Sequence, residues 1–392
     1  MFYYLSQLPE WLVANGHAQW GDWLSPLRVF QYITFRGAGA AVTALVLCWL
    51  LGPMVIRWLK RIGVRQEYED RAREDGKMTD GVSKRGVPTM GGLLIVGVID
   101  LSALLWAQWN PLVTLTLLSM LVLCLLGFYD DYSKITRQNS EGLTEKVKLV
   151  VQFVLSATIA VYLWRLEETR QLITDVMVPF LKDPILSGPS ATMVISWAAV
   201  VGAIITVCAI MGSSNAVNFT DGLDGLAVGS VLIVSMVFYV FTYIAGHAEL
   251  ARELYVPAVS GAGELSVVCA GMMGACLGFL WFNCFPARVF MGDTGSLALG
   301  GSLGIVAVLV HQPWVLVIAG GIFVIEAASV ILQRSWFKWT RIRTGEGRRI
   351  FLKAPLHHHF QEKGWHENQV VVRFYIIGIL FAVLALATLK LR

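Results

Sequence analysis

Four polar stretches interrupt an otherwise apolar chain: FYDDYSK (128–134), NFTDGLDG (218–225), FMGDTGS (290–296) and PLHHHFQEKGW (355–365). They hold carboxylates, imidazoles, lysines and glycines, the residue types that handle a phosphorylated substrate together with a hard cation. Asp130 and Asp131 are adjacent, and Lys134 follows about one helical turn later. Neighbouring carboxylates repel unless a cation or basic group lies between them. Mg²⁺ is usually held by one or two carboxylates plus substrate phosphates, and Lys134 would then sit near a phosphate. Taken alone, the pair reads equally well as a charged helix end at the lipid headgroups.

NFTDGLDG sets Asn218, Asp221 and Asp224 within seven residues. The two aspartates share a face if the segment is helical, and Gly222 and Gly225 let backbone approach a ligand. The bland reading is a polar turn with a helix cap. In FMGDTGS, Asp293, Thr294 and Ser296 precede an apolar run, and a helix N-terminus suits a phosphate. Asn283 and Phe290 lie just upstream, Phe290 placed either to stack on a base or to anchor in lipid. His357, His358 and His359 are consecutive. Consecutive side chains cannot all face one way, so a three-histidine zinc site is not expected; one or two imidazoles facing phosphate fit better. KRGVPTMGG (84–92) adds Lys84, a candidate phosphate contact, and Thr89. Asp100 and Glu326 fall inside apolar runs; such acids are functional candidates, yet each reads more simply as a protonated, helix-bonding acid.

These residues need a frame. The chain has 392 residues, 56% hydrophobic and 15% charged, against about 25% charged in soluble domains. Apolar runs recur at 38–59, 89–108, 112–130, 147–165, 191–212, 225–246, 265–284, 296–311, 314–335 and 370–390, each near the length that crosses a bilayer. The expected fold is all-α, a polytopic integral membrane protein of about ten transmembrane helices, because lipid-exposed backbone must bond internally. No internal repeat is visible, which weighs against an inverted-repeat transporter. A net charge of +4 is too small to suggest a nucleic-acid partner. The six cysteines lie in or beside apolar runs without a CxxC pair and read as packing residues.

Most of the 31 lysines and arginines follow the odd-numbered runs. The positive-inside rule therefore puts those loops in the cytosol and both termini on the periplasmic side. All four polar stretches then fall on one face of the membrane. Residues 1–13 lack a basic start and a small-residue cleavage site, so no cleaved leader is expected. Residues 1–35, rich in Trp and Tyr, read as an N-terminal interfacial or periplasmic segment. Residues 36–392 read as one transmembrane domain whose cytosolic loops are 60–88, 131–146, 213–224, 285–295 and 336–369.

DDxxK, NxTDGLDG, MGDTGS and PLHHHFxxKGW, in this order and between these spans, resemble the phospho-N-acetylmuramoyl-pentapeptide transferases. GxPTMGG and GLTEKVKL fit as well, and the likeness runs from about residue 36 to the C-terminus. The wider superfamily of polyprenyl-phosphate sugar-1-phosphate transferases shares the acidic motifs; the histidine triplet followed by KGW favours this branch. The resemblance implies transfer of phospho-MurNAc-pentapeptide from UDP-MurNAc-pentapeptide to undecaprenyl phosphate, with Mg²⁺, giving lipid I and UMP. It implies an inner-membrane homodimer with its active site facing the cytosol.

Carried over residue by residue, the resemblance makes Asp130, Asp131, Asp293, His357, His358 and His359 catalytic. It makes Lys84, Thr89, Lys134, Lys146, Asn218, Asp221, Asp224, Asn283, Phe290 and Ser296 substrate-binding. Asp293 is the expected Mg²⁺ ligand, with Asp130 and Asp131 as candidate ligands beside it. Asp130 or Asp131 would deprotonate or orient the lipid phosphate; a covalent aspartyl phosphate is the other route. Residues 1–35 and the outer segments 167–190 and 247–264 look longer than the family needs and carry no assigned role. The rival readings are a UDP-GlcNAc/polyprenyl-phosphate GlcNAc-1-phosphate transferase and, more distantly, an ion-coupled transporter. The transporter reading expects acids near the membrane midplane rather than at one boundary.

Overall fold

A computed structural model of the chain describes residues 1–63, 86–136, 142–189 and 195–390. Lys84 lies outside the described residues. The fold is an all-α polytopic membrane bundle, and no β-strand occurs among the described residues. Its main helices are α1 (Ile33–Arg61), α2 (Gly92–Trp106), α3 (Pro111–Thr136), α4 (Glu145–Arg165), α5 (Trp197–Thr220) and α6 (Leu226–Ala245). They continue with α7 (Gly263–Asn283), α8 (Gly292–Leu309), α9 (Pro313–Ala319), α10 (Gly321–Thr344), α11 (Leu356–Glu362) and α12 (Glu367–Ala387).

At the centre stands α8, buried at every residue from Thr294 to Leu309. Its sequence, GDTGSLALGGSLGIVAVL, explains the position. A side chain at Gly300 or Gly304 would meet the backbone of α5 at 2.5 and 2.7 Å, so only small residues let the two helices touch. Outer helices carry the opposite pattern. Leu50 on α1, Val150 on α4 and Leu380 on α12 are exposed at 68%, 59% and 59%. Apolar faces of this extent need a bilayer around them.

Eight helices among the described residues are long and apolar enough to span a membrane, and a ninth results if α9 and α10 count as one broken span. Ten were expected, and two elements account for the difference. The run at 89–108 yields only the 15 residues of α2, about 22 Å of helix against a hydrocarbon core of about 30 Å. Pro88 to Gly91 stay out of the helix because they pair with the chain before α8: Phe290 N–H donates to Pro88 O at 2.8 Å and Gly91 N–H to Phe290 O at 2.9 Å. The run at 314–335 is not one straight helix either. It bends by 83° between α9 and α10, at Gly320 and Gly321, where helix propensity is poor and the ring of Phe381 fills the space a side chain at Gly321 would need.

At one end of the bundle the N-terminal segment folds over Trp106, the last residue of α2. The rings of Phe2 and Phe30 lie 4.6 and 5.8 Å from it. Trp11, Trp20 and Trp23 of the same segment are exposed. Beneath them Arg36 and Glu264 form a buried bidentate pair at 2.5 and 2.6 Å. At the other end α3, α5 and α7 finish and α4, α6 and α8 begin, and there the acidic motifs meet.

Candidate active site

Asp130 and Asp131 sit in the last two turns of α3, both buried. One turn earlier, Gly127 presses against the start of α8, and a Cβ there would lie 2.1 Å from the backbone oxygen of Asp293. That glycine contact brings residues 130 and 293 together. Asp131 accepts from the backbone N–H groups of Asp293 (3.3 Å) and Thr294 (3.0 Å) and from the Thr294 hydroxyl (2.7 Å). A carboxylate from one helix thus caps the N-terminus of another, where its charge also meets the positive end of the helix dipole.

Two lysines close the cluster. Lys134 Nζ lies 2.7 Å from Asp130 Oδ2, 3.1 Å from Asp293 Oδ2 and 3.8 Å from Asp131 Oδ1. Lys148 Nζ lies 2.7 Å from Asp130 Oδ2 and 2.9 Å from Asp293 Oδ2. Leu143 N–H donates to the other oxygen of Asp130 at 2.7 Å. Asp293 Oδ1 accepts from Asn218 Nδ2 at 2.8 Å, and the same amide donates to Ser296 Oγ at 2.8 Å. Of the three acids, Asp293 has the most accessible side chain, 16% against 0% for Asp130 and 5% for Asp131.

The three carboxylates offer ligand oxygens all within 4.8 Å of one another. Opposite ligands of an octahedral Mg²⁺ are about 4.2 Å apart, so this donor set, all hard oxygen, fits such an ion after a small closure. Two ammonium groups against three carboxylates leave the cluster short of positive charge, which also favours a cation.

Asp221 stands on the turn between α5 and α6. Burial, then the charges of Asp293, Asp131 and Asp224, push its carboxyl up to about 8, opposed by a bond from the Gly292 backbone. The rest of that turn is braced. Ala287 N–H donates to Asp224 (3.0 Å), Gly225 N–H to Asn283 Oδ1 (3.1 Å), and Asn283 Nδ2 to Val289 O (2.8 Å). Asp224 and Asn283 are thereby engaged with backbone, beside the cluster rather than in it. Thr89 Oγ1 lies close to Gly292, 2.8 Å from where a Cβ would stand. Phe290 is half-buried, held through its backbone.

The histidines separate. His357 is fully buried; its backbone N–H donates to Glu326 Oε1 and its Nδ1 lies 3.1 Å from Glu326 Oε2. His358 Nδ1 pairs with Gln361 at 2.9 Å, and His359 Nδ1 accepts from Leu352 N–H at 3.1 Å. Glu326, expected to bond a helix, bonds the start of α11.

Lys146 is exposed and is not part of the cluster; Lys148 takes that place. Sequence reasoning missed it although a signal existed. Lys148 lies one turn before Gln152 and two before Ser156, both fully buried on α4. Positions 148, 152 and 156 share a helix face, whereas 146 lies on another. Gln152 fixes that face by donating to Ser214 Oγ at 3.1 Å and accepting from Asn215 at 2.7 Å.

Residues 113–311 match the sequence model of glycosyl transferase family 4. A protein of Methylacidiphilum infernorum named phospho-N-acetylmuramoyl-pentapeptide-transferase is 47% identical over 95% of this chain and 98% of its own length. Proteins of the same name from Desulfotalea psychrophila and Neisseria meningitidis are 48% and 45% identical, over 93% and 96% of this chain and 96% and 99% of their own.

Proposed function

The chain belongs to the phospho-N-acetylmuramoyl-pentapeptide transferase family, and from that premise we propose how its residues carry out the reaction and where. The enzyme transfers phospho-MurNAc-pentapeptide from its UDP conjugate to undecaprenyl phosphate, releasing UMP and forming lipid I. An oxygen of the lipid phosphate attacks the phosphorus next to the sugar. The bond from that phosphorus to the UMP oxygen breaks, and UMP leaves with the electron pair.

Both reactants are anions, so their approach is electrostatically uphill. Lys134 and Lys148 offset it from the protein side. Mg²⁺, held by Asp293 with Asp130 beside it, would supply charge neutralisation on the diphosphate. Asp131 keeps the start of α8, and with it Asp293, in place. Asp130 orients the lipid phosphate. Asn218, Asp221, Thr89 and Ser296 line the donor side; Lys84, outside the described residues, is proposed as a phosphate contact on its sequence motif. The site faces the cytosol in the bacterial inner membrane, and the working unit is a homodimer. One observation carries this reading: five charged side chains from α3, α4 and α8 gather at one end of an apolar bundle, where a water-soluble donor and a lipid acceptor can meet.

The test is an assay of the purified protein with radiolabelled UDP-MurNAc-pentapeptide or UDP-GlcNAc and undecaprenyl phosphate. Labelled lipid and UMP are expected from the first donor. Turnover of UDP-GlcNAc alone would contradict the assignment. A phosphorylated enzyme trapped without lipid acceptor would contradict direct attack.

A further inference from the structure

Glu326 has no part in the cluster, yet it is fully buried and makes an ordered set of contacts. It sits in the second turn of α10, just past the bend. One oxygen accepts the backbone N–H of His357 at 3.1 Å, the Leu356 N–H also donates to the carboxylate, and the other oxygen lies 3.1 Å from His357 Nδ1. The carboxylate therefore caps α11 and grips the imidazole at once. The opposite ring nitrogen faces the turn between α5 and α6. A Cβ at Gly222 would lie 2.2 Å from His357 Nε2, so the imidazole reaches that turn because residue 222 is glycine. Next to it is Asp221, within electrostatic reach of Asp293 and Asp131. His358 and His359 use their Nδ1 atoms on Gln361 and Leu352. Of the triplet, His357 is the one set between a carboxylate and the acidic turn.

We propose that Glu326 is a positioning residue for the transfer reaction: it holds His357 as the Nδ1–H tautomer, so that Nε2 faces the Asp221 turn as a hydrogen-bond acceptor. A neutral imidazole carries one ring proton, and the bond made by one nitrogen decides the state of the other. The two α11 N–H groups that donate to Glu326 favour its ionised form, and an ionised carboxylate only accepts, so it draws the proton to Nδ1. The same logic orients the histidine of other carboxylate–imidazole pairs. An acceptor nitrogen at this turn suits a protonated phosphate oxygen, the state a phosphate monoester partly occupies near pH 7.

The inference rests on the transferase reading, but the tautomer is measured without turnover, so the two can fail separately. ¹⁵N-histidine NMR of the full-length protein in detergent, with His357 assigned by its loss in His357→Asn, should show Nδ1 protonated and Nε2 bare. Glu326→Gln keeps an acceptor for the α11 amides but presents an NH₂ to the ring, which should reverse the tautomer. Its kcat should fall about 100-fold with KM for the donor unchanged. In the His357→Asn background the same change should alter kcat by no more than about twofold. Wild-type His357 protonated at Nε2, in either charge state, would overturn the proposal and needs no variant to fold. So would wild-type kcat in Glu326→Gln, or an equal loss in both backgrounds.

Discussion

Lys148 Nζ donates to Asp293 Oδ2 at 2.9 Å across 145 residues of chain. The bond joins the first turn of α4 to the first turn of α8, and both turns open at the same end of the bundle. Neither residue is near the other in sequence, and each is placed by its own helix: Lys148 by the Gln152 face of α4, Asp293 by the glycine contact between α3 and α8.

Replacing Lys148 by Ala should lower the rate of UMP release by about 10²–10³-fold, the usual effect of removing one preorganised charge from a reacting site. Lys146→Ala should stay within about twofold, because that side chain is exposed and apart from the acids. Parallel initial-rate assays decide it; a larger loss at residue 146 would contradict the placement.

Asp293→Asn should abolish turnover while the protein remains folded and inserted. The asparagine keeps the contact with Asn218 but loses the charge that faces both lysines. Circular dichroism and size-exclusion behaviour should match the parent. Near-normal UMP release would remove Asp293 from the site.

Glycine substitutions separate packing from propensity. Gly127→Ala places a methyl against the backbone of Asp293 and Thr294; it should cost about 1–3 kcal/mol and depress activity by displacing the acid. Gly97→Ala on α2 meets nothing within 4 Å and should be neutral or stabilising by up to about 1 kcal/mol. Thermal unfolding in detergent, read beside the assay, distinguishes the two.

Arg36 and Glu264 pair at the far end of the bundle, with the Gln108 N–H also donating to Glu264 at 2.8 Å. Glu264→Ala leaves a buried guanidinium uncompensated and should cost about 3–5 kcal/mol. The specific activity of the protein that still folds should be unchanged. A loss of stability under about 1 kcal/mol would mean that water reaches the pair.

Much of this was legible from residue types. The apolar runs gave the helices, and the acids of three separate motifs converge as the alternating spans require. What was not legible depends on contact. The bend at Gly320 and the shortness of α2 follow from Phe381 and from the pairing of Pro88 with Phe290, neither visible in a hydropathy pattern. Lys146 looked as good as Lys148 in the motif because both carry the same charge; only the buried partners of α4 separate them. The residue that Glu326 bonds was not legible in the span itself, because His357 lies 31 residues later.

Transfer depends, in this proposal, on a cation held by Asp293 with Asp130 beside it, while Asp131 braces the start of α8. The most direct measurement is UMP release from UDP-MurNAc-pentapeptide with undecaprenyl phosphate, in EDTA and after adding back Mg²⁺. No release is expected in EDTA, and full recovery with excess Mg²⁺. Undiminished turnover in EDTA would contradict that dependence.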